Sequence, residues 1–255
     1  MSDERAQSFG EVADLYDRAR PRYPDAVIVR IVTSSGVRSP RVLDVGCGTG
    51  IATRQLLAAG AEVVGLEPDE AMLSLALERT RGAVSFQCRR FQDVDAADGQ
   101  FDIITAAQAW HWVDPATALP TAHRLLASDG VLAPFWNVRV EETDAVSLAL
   151  VGLYQEIMPE VADAFMAPQG GRRLESEEAL RLSPLFSDPV VERFEWERVC
   201  TTSQYLDLIQ THSVYRLMSG QSRQRLLGGV AEILDAAGGS FTFGYETVLV
   251  LSHRR

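Results

Sequence analysis

Between Arg41 and Glu67 the chain reads RVLDVGCGTGIATRQLLAAGAEVVGLE, and no other stretch restricts the fold as tightly. Val42, Leu43 and Val45 flank Asp44 in a short apolar run, Gly46-Cys47-Gly48-Thr49-Gly50 interrupts it, and residues 51–59 read as a helix ending at Gly60. Residues 62–67 form a second apolar run that ends in an acid. Strand, glycine turn, helix and strand make a βαβ unit. Glycines let the backbone approach a ligand, and the exposed N–H groups at a helix start attract negative charge. Glu67 lies 21 positions beyond Gly46, at the end of the second strand, where a carboxylate can accept both hydroxyls of a ribose. The unit predicts a nucleotide cradle that suits NAD as well as S-adenosylmethionine. Spacing separates the two. The dinucleotide fingerprint is G-x-G-x-x-G/A, whereas Gly46, Gly48 and Gly50 give G-x-G-x-G with Ile51 next, and Asp44 before the first glycine points the same way, toward S-adenosylmethionine.

The flanking chain continues the alternation. Pro68-Asp69 starts a helix over residues 70–80, Gly82 ends it, and strands are predicted over 84–88, 101–106 and 130–136, with a helix from 115 to 127 interrupted near Pro120. Strands and helices alternating at this spacing predict an α/β fold, a doubly wound and mostly parallel Rossmann-like sheet. Pro134 inside the fifth strand predicts a bulge or an early strand end, because proline lacks the ladder N–H. Ahead of this core, residues 1–10 read as a loose tail, residues 11–18 as a weak helix, and the RPRYP segment from Arg20 to Pro24 breaks the pattern before a short amphipathic helix over 25–34. After Asn137 the rhythm changes. Residues 143–166 read as a helix broken at Pro159, 169–173 as a glycine-rich turn and 176–182 as a short helix. A strand over 190–199, helices over 203–218 and 222–237 and a last strand over 241–251 follow. This divides the chain into a lid and nucleotide-binding core (1–137), an inserted helical cap (138–189) and a C-terminal part that completes the sheet (190–255).

Charge and cysteine content exclude several functions. With 35 acidic against 24 basic residues the net charge is −11, which disfavours nucleic acid or an anionic membrane as partner. Cys47, Cys88 and Cys200 are odd in number and lack C-x-x-C spacing, so neither a disulfide framework nor a metal site is indicated. With no signal-like N-terminus and no apolar run of membrane-spanning length, a cytoplasmic protein acting on a small molecule is expected.

VLDVGCGTG, followed in order by GLEPDEAML, FDIITAAQAWHW and LLASDGVLAPFWN, resembles a class I S-adenosylmethionine-dependent methyltransferase. The YDRARPRYP head and the AWHW segment resemble the trans-aconitate-methyltransferase-like branch. The resemblance covers residues 9–137. It implies that Asp44, Gly46, Cys47 and Gly48 line the methionine and ribose end, that Glu67 holds the ribose hydroxyls, and that Pro68 packs on the adenine. Relatives place an acid after the third strand for the adenine amino group, whereas this chain has Arg90, Phe91 and Gln92 there. Phe91 is then expected to supply its backbone N–H and an apolar face, with Gln92 or Asp93 the polar contact. The carbonyls around Ala106, Ala107 and Gln108 are expected to meet the methionine amine, and Tyr16, Arg20 and Tyr23 to fold over the top, Arg20 facing the methionine carboxylate.

Methyl transfer from a sulfonium is an in-line displacement that needs alignment and exclusion of water more than covalent machinery. Trp110 and His111 are the expected catalytic residues. An aromatic face favours the sulfonium, and His111 serves as base for a hydroxyl or amine, or only orients a carboxylate. Core packing competes for Trp110 and Trp112, one of which suits the pocket and the other the core. His212, Tyr215 and Arg216 share a late helix that suits either an acidic substrate or a solvated face. The expected reaction is methylation of a small-molecule oxygen, with protein or peptide methylation, or cofactor binding without turnover, as the rival readings.

Overall fold

A computed structural model describes residues 13–140, 143–159 and 171–255. The expected tail of residues 1–10, the end of the helix expected to reach residue 166 and the Gln169-Gly170 turn lie outside them. Two short helices, α1 (Ala13–Ala19) and α2 (Asp25–Val32), precede the βαβ unit, which folds as predicted: β1 (Arg41–Val45), α3 (Ile51–Ala58) and β2 (Glu62–Leu66). Then follow α4 (Glu70–Thr80), β3 (Ser85–Gln87), β4 (Phe101–Ala107), α5 (Pro115–Leu125) and β5 (Leu126–Arg139). The remainder is α6 (Ala145–Ile157), α7 (Gly171–Leu182), β6 (Val190–Thr201), α8 (Thr202–Gln210), α9 (Ser213–Leu217), α10 (Gly220–Ala236) and β7 (Ser240–His253).

The seven strands form one sheet in the order β3-β2-β1-β4-β5-β7-β6. Strands β1 to β5 pair parallel, and only β7 runs against its neighbours. Strand order reverses between β1 and β4, which opens a crevice at their carboxyl ends, where ligands bind in such sheets. Period-two alternation fills both faces. Val131, Ala133 and Phe135 of β5 join α2 and α3 on one side, while Leu132, Trp136 and Val138 join α5 and Leu180 on the other.

Several local expectations are corrected. Strand β5 runs through Pro134, which pairs with Ala106, and the antiparallel register with β7 is the same on both sides of it. The register shift lies earlier, where Phe101 faces Leu126 but Ile103 faces Val131, around Gly130. Helix α5 likewise continues through Pro120. Residues 171–173, expected as a turn, begin α7, and the helix expected over 203–218 divides at Thr211-His212 into α8 and α9. The two helices of the expected cap part company. Leu150 and Tyr154 of α6 pack with α8 and α10 in a third cluster beside the sheet, whereas α7 packs on α5 and on the Trp110–Trp112 turn.

Candidate active site

The glycine turn is built for close approach. Gly46, Gly48 and Gly50 all have positive φ, at 67°, 56° and 80°, and a Cβ on Gly46 would stand 2.5 Å from the Ala109 Cβ. Gly46 and Cys47 donate their N–H groups to the Leu66 carbonyl at 2.7 and 3.0 Å, which fastens the turn to the end of β2. There Glu67 accepts the Gly48 N–H through Oε2 and the Asp69 N–H through Oε1, both at 3.0 Å. Burial pushes the Glu67 carboxyl up to about 7, with the two backbone N–H bonds opposing the rise and the Asp69 and Asp44 charges adding to it.

A cleft of about 480 Å³ opens above this turn. Its ribose-side wall is Gly46, Gly48, Glu67 and Pro68; Arg89, Arg90, Phe91 and Gln92 form a second wall, and Ala107, Gln108, Trp112 and Asp114 a third. Tyr16, Gly46, Gly48, Ala107 and Gln108 also line a smaller neighbouring cavity, together with Arg20, Tyr23, Cys47 and Asn137. Eleven of the predicted cofactor residues, Tyr16, Arg20, Gly46, Cys47, Gly48, Glu67, Pro68, Phe91, Gln92, Ala107 and Gln108, thus line one or both of these neighbouring cavities. Gln108 has φ of 59°, rare for a residue other than glycine. Its amide nitrogen donates to the Asn137 carbonyl at 2.9 Å.

Three predicted residues lie elsewhere. Asp44 is not at the cavity wall but fully buried beneath the glycine turn, where Oδ2 accepts the Thr53 hydroxyl at 2.6 Å and Oδ1 has no hydrogen-bond partner. Burial pushes its carboxyl up to about 7, against the Thr53 bond. Trp110 is also corrected. It is 2 % exposed and packs edge-on against Phe91 in the core, because successive residues of a tight turn point in different directions, and Trp112 takes the cavity wall instead. His111 lines neither cavity; its Nδ1 accepts the Trp136 indole N–H at 3.1 Å. An indole nitrogen only donates, so the neutral imidazole carries its own proton on Nε2. His212, Tyr215 and Arg216 line neither cavity. Burial and the Arg20 and Arg139 charges hold the His212 pKa well below its ordinary value. Cys47 is buried, and burial pushes its thiol well up, which suits packing and not nucleophilic attack.

The strap from Ala19 to Pro24, which carries Arg20 and Tyr23, is held from both sides. Gln55 exchanges two bonds with the Tyr23 backbone, at 3.1 and 2.7 Å, and Asn137 Nδ2 donates to the Arg22 carbonyl at 3.2 Å. Asn137 is fixed in turn: the Trp196 indole donates to Thr247 Oγ1 at 2.9 Å, and that hydroxyl donates to Asn137 Oδ1 at 2.6 Å. Sequence reasoning missed this relay, which joins residues more than a hundred positions apart. It also missed Asp114 at the cavity wall, although an Asp-Pro pair ahead of a helix is a cap signal. Thr247→Val keeps the shape but strands both partners in a buried setting, so a loss of about 2–4 kcal/mol is expected in denaturant unfolding, with Thr247→Ser close to the parent. An unchanged Thr247→Val midpoint would mean that the relay does not hold the strap.

A doubly wound sheet with a glycine turn, an acid at the end of β2 and a cleft at the strand-order reversal defines the class of Rossmann-like nucleotide-binding enzymes. Residues 43–133 match the methyltransferase domain family. The chain is 30% identical over 230 residues to an uncharacterized methyltransferase of Mycobacterium tuberculosis, spanning 89% of this chain and 85% of that protein. A ubiquinone biosynthesis O-methyltransferase of Pseudomonas aeruginosa is 34% identical over 101 residues, 38% of this chain and 44% of that one. Among solved structures, a type II methyltransferase candidate from Anaeromyxobacter dehalogenans superposes with a TM-score of 0.69 at 24% identity, covering 92% of this chain and 97% of that one. The chain belongs to the methyltransferase family.

Proposed function

We propose that this methyltransferase moves the methyl group of S-adenosylmethionine to an oxygen of a small molecule. One observation carries the cofactor: Glu67, gripped by the Gly48 and Asp69 amides, stands at the wall of a cleft floored by glycines whose side-chain space is taken or open to a ligand. These residues fit the group. Glu67 would take the ribose hydroxyls, Pro68 and Phe91 would flank the adenine with Gln92 or Asp114 toward its amino group, and Gln108 and Arg20 would face the methionine amine and carboxylate. When bound, the cofactor supplies an electrophilic methyl on a sulfonium. The chain's residues orient and dehydrate.

The acceptor atom depends on whether a base stands beside it. His111 lines neither cavity and its Nδ1 already accepts the Trp136 indole N–H, so it is poorly placed to take a proton from a bound acceptor. That favours an acceptor that arrives already nucleophilic, a carboxylate or an acidic hydroxyl. The partial relative that acts on oxygen agrees with this. The test is incubation with S-adenosylmethionine labelled in its methyl group and a metabolite extract. Label in the low-mass fraction with release of S-adenosylhomocysteine is the expected result; label on protein would favour the peptide reading, and cofactor binding with no release would favour a module without turnover. The aromatic assignments separate too. Trp110→Ala is expected to cost about 3–5 kcal/mol of stability, as for a buried indole, whereas Trp112→Ala leaves the melting temperature within a few degrees and weakens ligand binding. The reverse outcome would exchange the two roles.

A further inference from the structure

The strap that covers the methionine end has an outer side as well. There Arg18, Arg20, Arg22 and Arg198 converge on a separate hollow of about 370 Å³, walled by Tyr23, Trp196, Pro21 and Pro24. Such a concentration is unexpected on a chain of net charge −11. Asp14 and Asp17 nearby are engaged by other guanidinium groups, and Asp207 is engaged by Arg18 itself. Asp17 meets Arg54 at 2.7 Å and Arg79 at 3.7 Å, Asp14 meets Arg79 at 3.3 Å, and Asp207 meets Arg18 at 3.3 Å. Among the described residues, Arg20, Arg22 and Arg198 have no carboxylate within ion-pair distance.

Two of these three are nevertheless fixed in place. Arg198 Nη1 donates to the Ala19 carbonyl at 2.9 Å, and Arg20 Nη2 donates to the Thr211 carbonyl at 3.1 Å while its guanidinium lies over the Tyr16 ring. The Arg20 Nε is buried with no partner. Backbone carbonyls hold a guanidinium still but do not neutralise it, so the partly buried Arg20 and Arg198 keep their full charge. The Arg22 carbonyl is tied to Asn137, which fixes the strap backbone beneath the hollow. Fixed, forked donors of uncancelled charge around a concavity are what recognises a phosphate or carboxylate group with two or more negative charges.

We infer that this hollow is a binding site for a small polyanion, separate from the cofactor cleft and sharing with it only the strap and Arg20. The inference does not depend on the methyltransferase reading. Isothermal titration with inorganic pyrophosphate, run with saturating S-adenosylhomocysteine so that the cleft is filled, tests it. Saturable binding is expected, weakening at least tenfold in Arg22→Gln/Arg198→Gln and at least threefold in Arg22→Gln alone, whose side chain is exposed and supports no fold contact. Malonate in a parallel titration assigns the natural group: tighter pyrophosphate points to a phosphate, tighter malonate to a dicarboxylate. Absence of saturable binding by both anions, or equal binding by parent and double variant with unchanged unfolding midpoints, would overturn the site. Loss of pyrophosphate binding when S-adenosylhomocysteine is added would place the anion in the cofactor cleft and overturn it as well. Failure to bind S-adenosylhomocysteine at all would count against the proposed function and leave the pyrophosphate result to stand alone.

Discussion

Glu67→Gln is expected to weaken S-adenosylmethionine binding by about 10- to 100-fold, the equivalent of roughly 1.5–3 kcal/mol for a hydrogen-bonded charged acceptor. The amide has nearly the shape of the carboxylate, but its nitrogen must face either the Gly48 or the Asp69 N–H, a donor against a donor. The glycine turn then loses a tie to β2 as well as the ribose acceptor. The same residue sets a pH dependence. Its carboxyl is pushed up to about 7 by burial first, so it is largely protonated at pH 6 and ionised at pH 8. Since the ribose hydroxyls need an acceptor, affinity should rise as pH climbs through about 7, and the Gln variant should be flat over that range.

Stability of the ligand-free protein runs the other way. Asp44 and Glu67 both have folded pKa values raised to about 7, so the stability they contribute is full below their ordinary values of 3.8 and 4.5 and is lost as pH rises through about 7. Melting temperature should therefore decline from pH 5.5 to pH 8, and Asp44→Asn should remove part of that decline. The asparagine can still accept the Thr53 hydroxyl, and it needs no charge in a fully buried place. A steeper decline in Asp44→Asn would show that Asp44 is ionised and compensated in the folded protein.

The second large effect is expected at Gly46. Alanine there must adopt a φ near 67° and place its methyl 2.5 Å from the Ala109 Cβ. Backbone strain of about 1–2 kcal/mol adds to about 1–3 kcal/mol for overpacking, and the melting temperature should fall by roughly 5–15 °C. Relief requires Ala109 to move, and with it Gln108 at the cavity wall, so cofactor binding should fail even where the variant folds. Gly48→Ala is the comparison, since nothing lies within 4 Å of its Cβ and only the φ of 56° opposes it. A Gly46→Ala protein that melts with the parent would remove the close approach from the account.

What the sequence made legible follows from range. The β1-α3-β2 unit, the glycine turn and Glu67 were readable because strand propensity, turn and helix start lie within thirty residues and constrain one another. Pro134 misled because a missing N–H costs one ladder bond, which a strand buried between β4 and β7 tolerates. The division at Thr211-His212 carries no glycine or proline to announce it; a Thr211 hydroxyl bond to the Leu208 carbonyl ends α8. Trp110 and Trp112 differ in fate because of a three-residue turn whose rotation no local pattern fixes. The Trp196, Thr247 and Asn137 relay was invisible, since it exists only after β7 is inserted between β5 and β6. The arginine hollow draws on both ends of the chain for the same reason.

The proposed function requires that the cleft above Gly46 and beside Glu67 take S-adenosylmethionine and no dinucleotide. Isothermal titration of the purified protein at pH 8 with S-adenosylmethionine and, separately, with NAD reads it directly. One saturable S-adenosylmethionine site per chain, weakened by Glu67→Gln, with NAD showing no comparable binding, is the predicted result; tight NAD binding with none for S-adenosylmethionine would contradict it.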